Sequence, residues 1–216
     1  MTIDIEFIGD FICPWCYLGK VRLERVREKL LPDIELNIKV KPYVLYPNIP
    51  KGGTPKSHFA KKAKRGMGKA LKYEAQIENI AFNYRLIERI PYSWEAHRLV
   101  WLIEDNDKKY ELSKLIFHDY FEKGQDIESS TYLISAAKSI GIDEAILQAF
   151  ANSDAGTDEV KNYVQACRDE YITLVPYLKI HNMIGVPGLQ SAEVLENYIR
   201  RVGQKHASAH PKNSIE

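Results

Sequence analysis

Cys13 and Cys16 stand three apart in DFICPWCYLG, with Pro14 and Trp15 between them. Two thiols at that spacing can exchange electrons as a disulfide pair, hold half of a metal site, or pack as small apolar groups. Their position along the chain separates the three. Ile3, Ile5 and Phe7 alternate with Thr2, Asp4 and Glu6, which is the period of a strand. After the cysteines, YLGKVRLERVREKLL carries Leu18, Val21, Val26 and Leu30 as a helical stripe, and Pro32 stops it. The pair therefore sits where strand gives way to helix. Cys13 is expected at the N-cap, Pro14 at the first helical position, where its missing N–H costs nothing, and Cys16 one turn further on the same side. In that geometry the Cys13 sulfur should accept the free N–H groups of Trp15 and Cys16. Those donors and the helix dipole favour a thiolate. Cys13 is predicted to be the exposed, attacking thiol and Cys16 the buried, resolving one.

The other two readings fare worse. A zinc site needs a second pair or histidines at matching spacing, and the remaining cysteine, Cys167, has no histidine within five residues. No metal is expected. Two inert cysteines belong more naturally on a mid-helix face than at a strand-to-helix junction, where C-x-x-C is the redox placement.

The elements that must hold this pair follow from periodicity. Ile34, Leu36, Ile38 and Val40 alternate with Glu35, Asn37, Lys39 and Lys41, giving a second strand and so a βαβ unit with a right-handed crossover. Residues 43–54 read as a loop rich in proline and glycine. From Pro55 to Arg168 everything reads as helices: one capped by Ser93, one ending at Gly124, one bracketed by Ser130 and Gly141, and one opened by Thr157. YLKI and MIGV, with His181–Asn182 at the turn, form a hairpin, and Ser191 caps a last helix, AEVLENYIRRV. The stretch from Gln204 reads as a frayed tail. The order is βαβ, helices, ββα. Neither half-sheet has enough strands to stand alone, so the expected α/β fold is one sheet domain, residues 1–54 and 169–216, interrupted by a helical insertion, 55–168.

Composition narrows the setting. The 216 residues are 45% apolar and 27% charged with a net charge of +1, so no global field draws the chain to nucleic acid or membrane. No apolar run approaches the roughly 18 residues of a membrane span. MTIDIEFIGDF lacks the features of a signal peptide, and three cysteines do not make a secreted disulfide scaffold, so a cytoplasmic location is expected. Residues 51–72 hold eight Lys or Arg and no acid. Without interleaved aromatics they read as a solvated face rather than a nucleic-acid platform.

DFICPWCYLGKVRLERV resembles the active-site segment of the DsbA family of thioredoxin-fold oxidoreductases, in particular its FrnE-like branch. The resemblance continues in KPYVLYPNIP, SWEAHRLVWL, HDYFEKGQDI and LVPYLKIHNMIGVPGLQSAEVLENYI, nearly the whole chain. It implies a thioredoxin-like fold with a helical insertion, a thiol–disulfide oxidoreductase with Cys13 as nucleophile and Cys16 as resolving cysteine, and no cofactor. Protein or small thiol and disulfide substrates are implied, with glutathione a candidate redox partner. Val175–Pro176 matches the family's cis-proline segment, whose backbone is left to pair with a substrate chain. Leu174 stands where the family has glycine, which implies a tighter loop or a narrower groove. His97 matches a histidine common in FrnE-like sequences and is a candidate substrate-cleft residue, and Trp15 is expected at the cleft mouth. Cys167 reads as a packed small hydrophobe. Kappa-class glutathione transferases and 2-hydroxychromene-2-carboxylate isomerases look similar but carry serine at the Cys13 position. A redox-switched peptide-binding module is the non-enzymatic alternative.

Overall fold

In the structure, a computed structural model that describes residues 1–60 and 67–209, the alternation near the N-terminus becomes β1 (Thr2–Gly9). Ile3, Ile5 and Phe7 are buried as the period requires. The chain turns through residues 10–13 into α1 (Pro14–Leu30) and returns as β2 (Glu35–Pro42), parallel to β1 with Ile5 beside Ile38. The hairpin of β5 (Tyr177–Ile180) and β6 (Ile184–Pro187) completes the sheet, whose order is β2-β1-β5-β6. β5 runs antiparallel to β1, and His181 and Asn182 both adopt positive φ at the tip of the hairpin. The last helix, α9 (Ala192–Ala209), packs on α1 and β5. This is the βαβ…ββα order of a thioredoxin-like sheet.

Between the two halves lie β3 (Thr54–Pro55), α2 (Ser57–Ala60), α3 (Met67–Ile77), β4 (Arg89–Ile90), α4 (Trp94–Leu102), α5 (Asn106–Lys123), α6 (Ser130–Ser139), α7 (Glu144–Asn152) and α8 (Thr157–Asp169). α4, α5 and α8 pack on β2, and α5 also meets α1, so the insertion shares its core with the sheet. Among the described residues no helix is long and apolar enough to cross a membrane.

Several expectations are corrected. The insertion is not wholly helical: residues 78–93 are irregular apart from β4, which pairs with β3 to close the loop after β2. Ser93 makes no side-chain cap. It is buried with helical angles and contributes its carbonyl to His97 N–H at 3.2 Å. Ser129, one residue before the expected Ser130, accepts the Tyr132 N–H. α5 begins at Asn106, because the Asp105 carboxylate accepts the N–H groups of Asp107 and Lys108, and it ends at Gly124 with φ 67 as expected. The chain beyond Gln204 does not fray at once: α9 continues to Ala209. Gly203 sits against Met1, Ile3 and Ile34, where a Cβ would meet atoms at 3.3–3.5 Å, and His206 meets the His181 ring at 4.7 Å. The basic stretch 51–72 includes residues 61–66, which lie outside the described residues.

Candidate functional site

β1 ends in Gly9 because the next layer lies directly upon it: a Cβ there would meet Cys16 Sγ at 3.1 Å. Asp10 then redirects the chain. Its side chain is fully buried; Oδ1 accepts the Ile12 N–H at 3.3 Å, Oδ2 accepts the Leu45 N–H at 2.7 Å, and its carbonyl accepts the Cys13 N–H at 3.0 Å. His97 Nε2 lies 3.3 Å from Oδ1, as a buried pair. A buried carboxylate is tolerable only when its lone pairs are satisfied in this way. Asp10 thus ties the turn that carries the cysteines to the loop after β2 and to α4.

Cys13 is the N-cap residue of α1 and Pro14 occupies the first turn, as the sequence reading has it. The sulfur, however, does not cap. The backbone carbonyl of Cys13 accepts the N–H groups of Cys16 and Tyr17, at 3.0 and 3.2 Å, and the thiol turns away and donates to the Val175 carbonyl at 3.9 Å. Nor is Cys13 exposed: it is 4% accessible, against 0% for Cys16. The expected contrast in exposure is therefore corrected to two buried thiols. Burial pushes the Cys16 thiol far above the ordinary range. The neighbouring Cys13 and Asp10 side chains add to this, and the backbone at Asp10 opposes it. Cys16 consequently holds its proton. All three cysteines are free.

The opposite wall is the Val175–Pro176 segment. The peptide bond there is cis, Pro176 is buried, and its carbonyl accepts the Gly188 N–H at 2.7 Å. It presses on α1 at Gly19, where a Cβ would lie 2.8 Å from Pro176 Cγ. That close approach explains a glycine inside a helix, where it otherwise costs about 0.5–1 kcal/mol. Leu174, where the family resemblance expects glycine, is 62% exposed beside this wall. Trp15 is half-buried and packs toward Leu18 and α3. His97 is brought to the site from behind, against Asp10 and the Phe11 ring at 4.7 Å, and its ring is buried rather than open to a cleft. Cys167 lies apart, in α8, buried near Tyr163, with its thiol pushed up to about 11 by burial. Among the described residues no three His, Cys, Asp or Glu side chains gather to hold a metal.

Sequence reasoning missed Asp10, Gly9, Gly19 and Tyr84. Asp10 left a signal, an aspartate two residues before an N–H it can accept in an Asx turn. Gly19 left one too, a lone glycine in a helical stripe. Tyr84 left none. It stacks on Phe82 at 5.4 Å, and burial raises its hydroxyl pKa.

Comparison with known proteins places this geometry. The DSBA-like thioredoxin domain matches residues 4–200. The uncharacterized protein YwbO of Bacillus subtilis (strain 168) is 22% identical over 205 residues, 92% of this chain and 96% of its own. A probable DsbA oxidoreductase from Streptomyces coelicolor superposes with TM-score 0.78 at 22% identity, covering 99% of this chain and 93% of that one. A 2-hydroxychromene-2-carboxylate isomerase superposes with TM-score 0.71 at 17% identity, covering 97% and 99%.

Proposed function

The chain belongs to the DSBA-like thioredoxin domain family, and from that premise we propose that it is a thiol–disulfide oxidoreductase acting through Cys13 and Cys16. One observation carries the reading: two free, buried thiols three residues apart at a strand-to-helix junction, with the Cys13 sulfur facing the carbonyl before Pro176.

In the reducing direction the Cys13 thiolate attacks one sulfur of a substrate disulfide. The substrate S–S bond breaks, its other sulfur leaves as a thiolate and takes up a proton, and a Cys13–substrate disulfide forms. Cys16 then loses its proton and attacks Cys13 Sγ, releasing the second substrate thiol. Two electrons pass to the substrate, and the protein ends with a Cys13–Cys16 disulfide. The oxidising direction is the same path reversed. The cysteines supply all the chemistry, so no cofactor enters. Substrates are protein or small thiols and disulfides, with glutathione a candidate partner. The FrnE-like resemblance and the thiol at position 13 favour this reading over the serine-based glutathione chemistry of the isomerase and kappa-class transferase types.

Cys16→Ser is expected to accumulate a mixed disulfide through Cys13 when the protein is mixed with a disulfide substrate, and Cys13→Ser to accumulate none. Mass spectrometry of the adducts reads this directly. Equal trapping by the two variants overturns the assigned roles, and no adduct in either removes the oxidoreductase reading.

A further inference from the structure

Tyr171 is 86% exposed in a backbone conformation that suits glycine. It follows the last turn of α8, where the Ile172 N–H donates to the Cys167 carbonyl and the Tyr171 N–H to the Arg168 carbonyl, each at 2.9 Å. These two bonds close the helix in a Schellman motif, whose left-handed position is usually glycine because a Cβ there crowds the following carbonyl. Tyr171 nevertheless holds φ 58, with its ring almost wholly in solvent. Strain with no packing to offset it points to a use for the side chain. Three residues on, Leu174 is the other large apolar side chain exposed on this loop, and the next residue is Val175, whose carbonyl faces Cys13 Sγ at 3.9 Å. The loop is held at both ends, by the cap at its start and by the Gly188 N–H on the Pro176 carbonyl. It also lacks charge. YITLVPYL, residues 171–178, holds none, Glu170 and Lys179 on either side pair with each other at 2.5 Å, and the Arg168 guanidinium donates to the Val44 carbonyl at 3.3 Å.

We propose that Leu174 and Tyr171 form an apolar lip that reads the residues beside the substrate's reacting cysteine. The proposal rests on the thiol–disulfide reading and specifies its substrate class: disulfides of peptide chains whose cysteine has apolar neighbours, in preference to polar ones. The Val175 carbonyl decides the occupant. Once Cys13 loses its proton, that carbonyl can accept an N–H from an extended chain. A chain paired in this way runs about 4.8 Å from the backbone of residues 173–175, so it passes beside Leu174, with Tyr171 further along the loop. Cβ atoms of neighbouring strands lie about 4.5–5.5 Å apart when opposed and about 7–8 Å on the diagonal, within reach of a leucine or a tyrosine. An apolar residue next to the substrate cysteine is thereby brought onto Leu174, whereas a charged one meets a loop with no charge of its own to offer.

The test offers three disulfides to the reduced protein: the dimers of acetylated, amidated Gly-Leu-Cys-Leu-Gly and Gly-Ser-Cys-Ser-Gly, and 2-hydroxyethyl disulfide. The second-order rate at which each oxidises the protein is followed by quenched mass spectrometry and divided by the rate of the same probe with glutathione, which removes intrinsic reactivity. In the wild type the leucine probe is expected to react about tenfold faster than the serine probe, equivalent to about 1.4 kcal/mol. In Leu174→Ser and in Tyr171→Gly this ratio should collapse toward one. Both positions are exposed, and Tyr171→Gly supplies the residue the cap prefers, so the variants are expected to fold. Denaturant unfolding checks this, and if one variant does not fold the other decides. A wild-type ratio near one, or a folded variant that keeps the wild-type ratio, overturns the lip, as does a protein oxidised by 2-hydroxyethyl disulfide and by neither peptide. A wild-type protein that stays reduced with all three probes and forms no Cys13 adduct overturns instead the thiol–disulfide reading, and the lip with it.

Discussion

Gly19→Ala tests how closely the redox helix and the Pro176 wall are fitted. In an ordinary helix interior the change stabilises, by about 0.5–1 kcal/mol, because alanine loses less backbone freedom on folding. Here the added Cβ lies 2.8 Å from Pro176 Cγ and 3.3 Å from its Cβ. Carbon atoms rest at about 3.5–4.0 Å, so the surfaces must part by close to 1 Å. A proline ring yields only by a change of pucker, which shifts Cγ and leaves Cβ at 3.3 Å; any further movement takes the backbone with it, which the Gly188 N–H fixes through the Pro176 carbonyl. Overpacking of this kind costs about 1–3 kcal/mol, so strain outweighs propensity and the variant should lose about 0–2 kcal/mol. Activity should suffer more than stability. The wall that recedes carries the Val175 carbonyl, the partner of Cys13, and a misplacement near 1 Å can cost about 100-fold in rate. Denaturant unfolding of the reduced protein measures the first effect, and single-turnover reduction of 2-hydroxyethyl disulfide the second. A variant more stable than wild type with an unchanged rate would show that the two surfaces are not in contact, and would refute the reasoning.

Asp10→Asn must turn its NH2 toward one of the N–H donors that the carboxylate now accepts, and should cost about 1–3 kcal/mol in unfolding experiments. It also removes a negative charge that helps raise Cys16, so the Cys16 pKa, followed by thiolate absorbance in a Cys13→Ala background, should fall. A pKa that stays or rises rejects the electrostatic part. Lys20→Met should stabilise the fold by about 1–3 kcal/mol, because the Lys20 amine is buried over the Tyr110 ring at 3.1 Å and, among the described residues, has no hydrogen-bond partner. Burial holds the Lys20 pKa well below the usual lysine range. Between that folded pKa and the unfolded value of about 10.4, the unfolded chain carries a proton that the native one lacks, so wild-type stability falls as pH is lowered through the window. The variant should lose that slope, and paired unfolding curves across pH that stay parallel would count against it.

The redox motif was legible because everything that places it is local: a period of two before it, a stripe after it, and a proline that fits only the first helical turn. The βαβ start followed for the same reason, since β1 and β2 both alternate, whereas β3 and β4, two residues each, are too short to show a period. What was not legible depends on partners far along the chain. Cys13 was expected to be open because the sequence around it cannot show Val175, whose carbonyl takes its thiol from 162 residues away. The same blindness applied to capping. Ser93 has the right chemistry for a cap, yet tertiary burial puts it inside the helical conformation and gives it none to do. His97 was visible as a histidine on an apolar helix, but Asp10 decides its surroundings, and the two meet only in the fold.

The burial of Cys13 changes how its chemistry must be understood. In the reduced structure the Val175 carbonyl is occupied by the Cys13 thiol. Once Cys13 ionises to attack, it has no hydrogen left to give, and that carbonyl becomes free to accept an N–H. On the proposed mechanism, an extended substrate chain can offer its backbone N–H there from the thiolate stage through the mixed disulfide, but not while Cys13 rests as the thiol. The wall at Pro176 would then grip the reacting complex and the mixed disulfide and not an encounter with the resting thiol. Binding energy spent in this way lowers the reacting states without tightening that first encounter, which is the sense in which only interactions absent from the ground state speed a reaction.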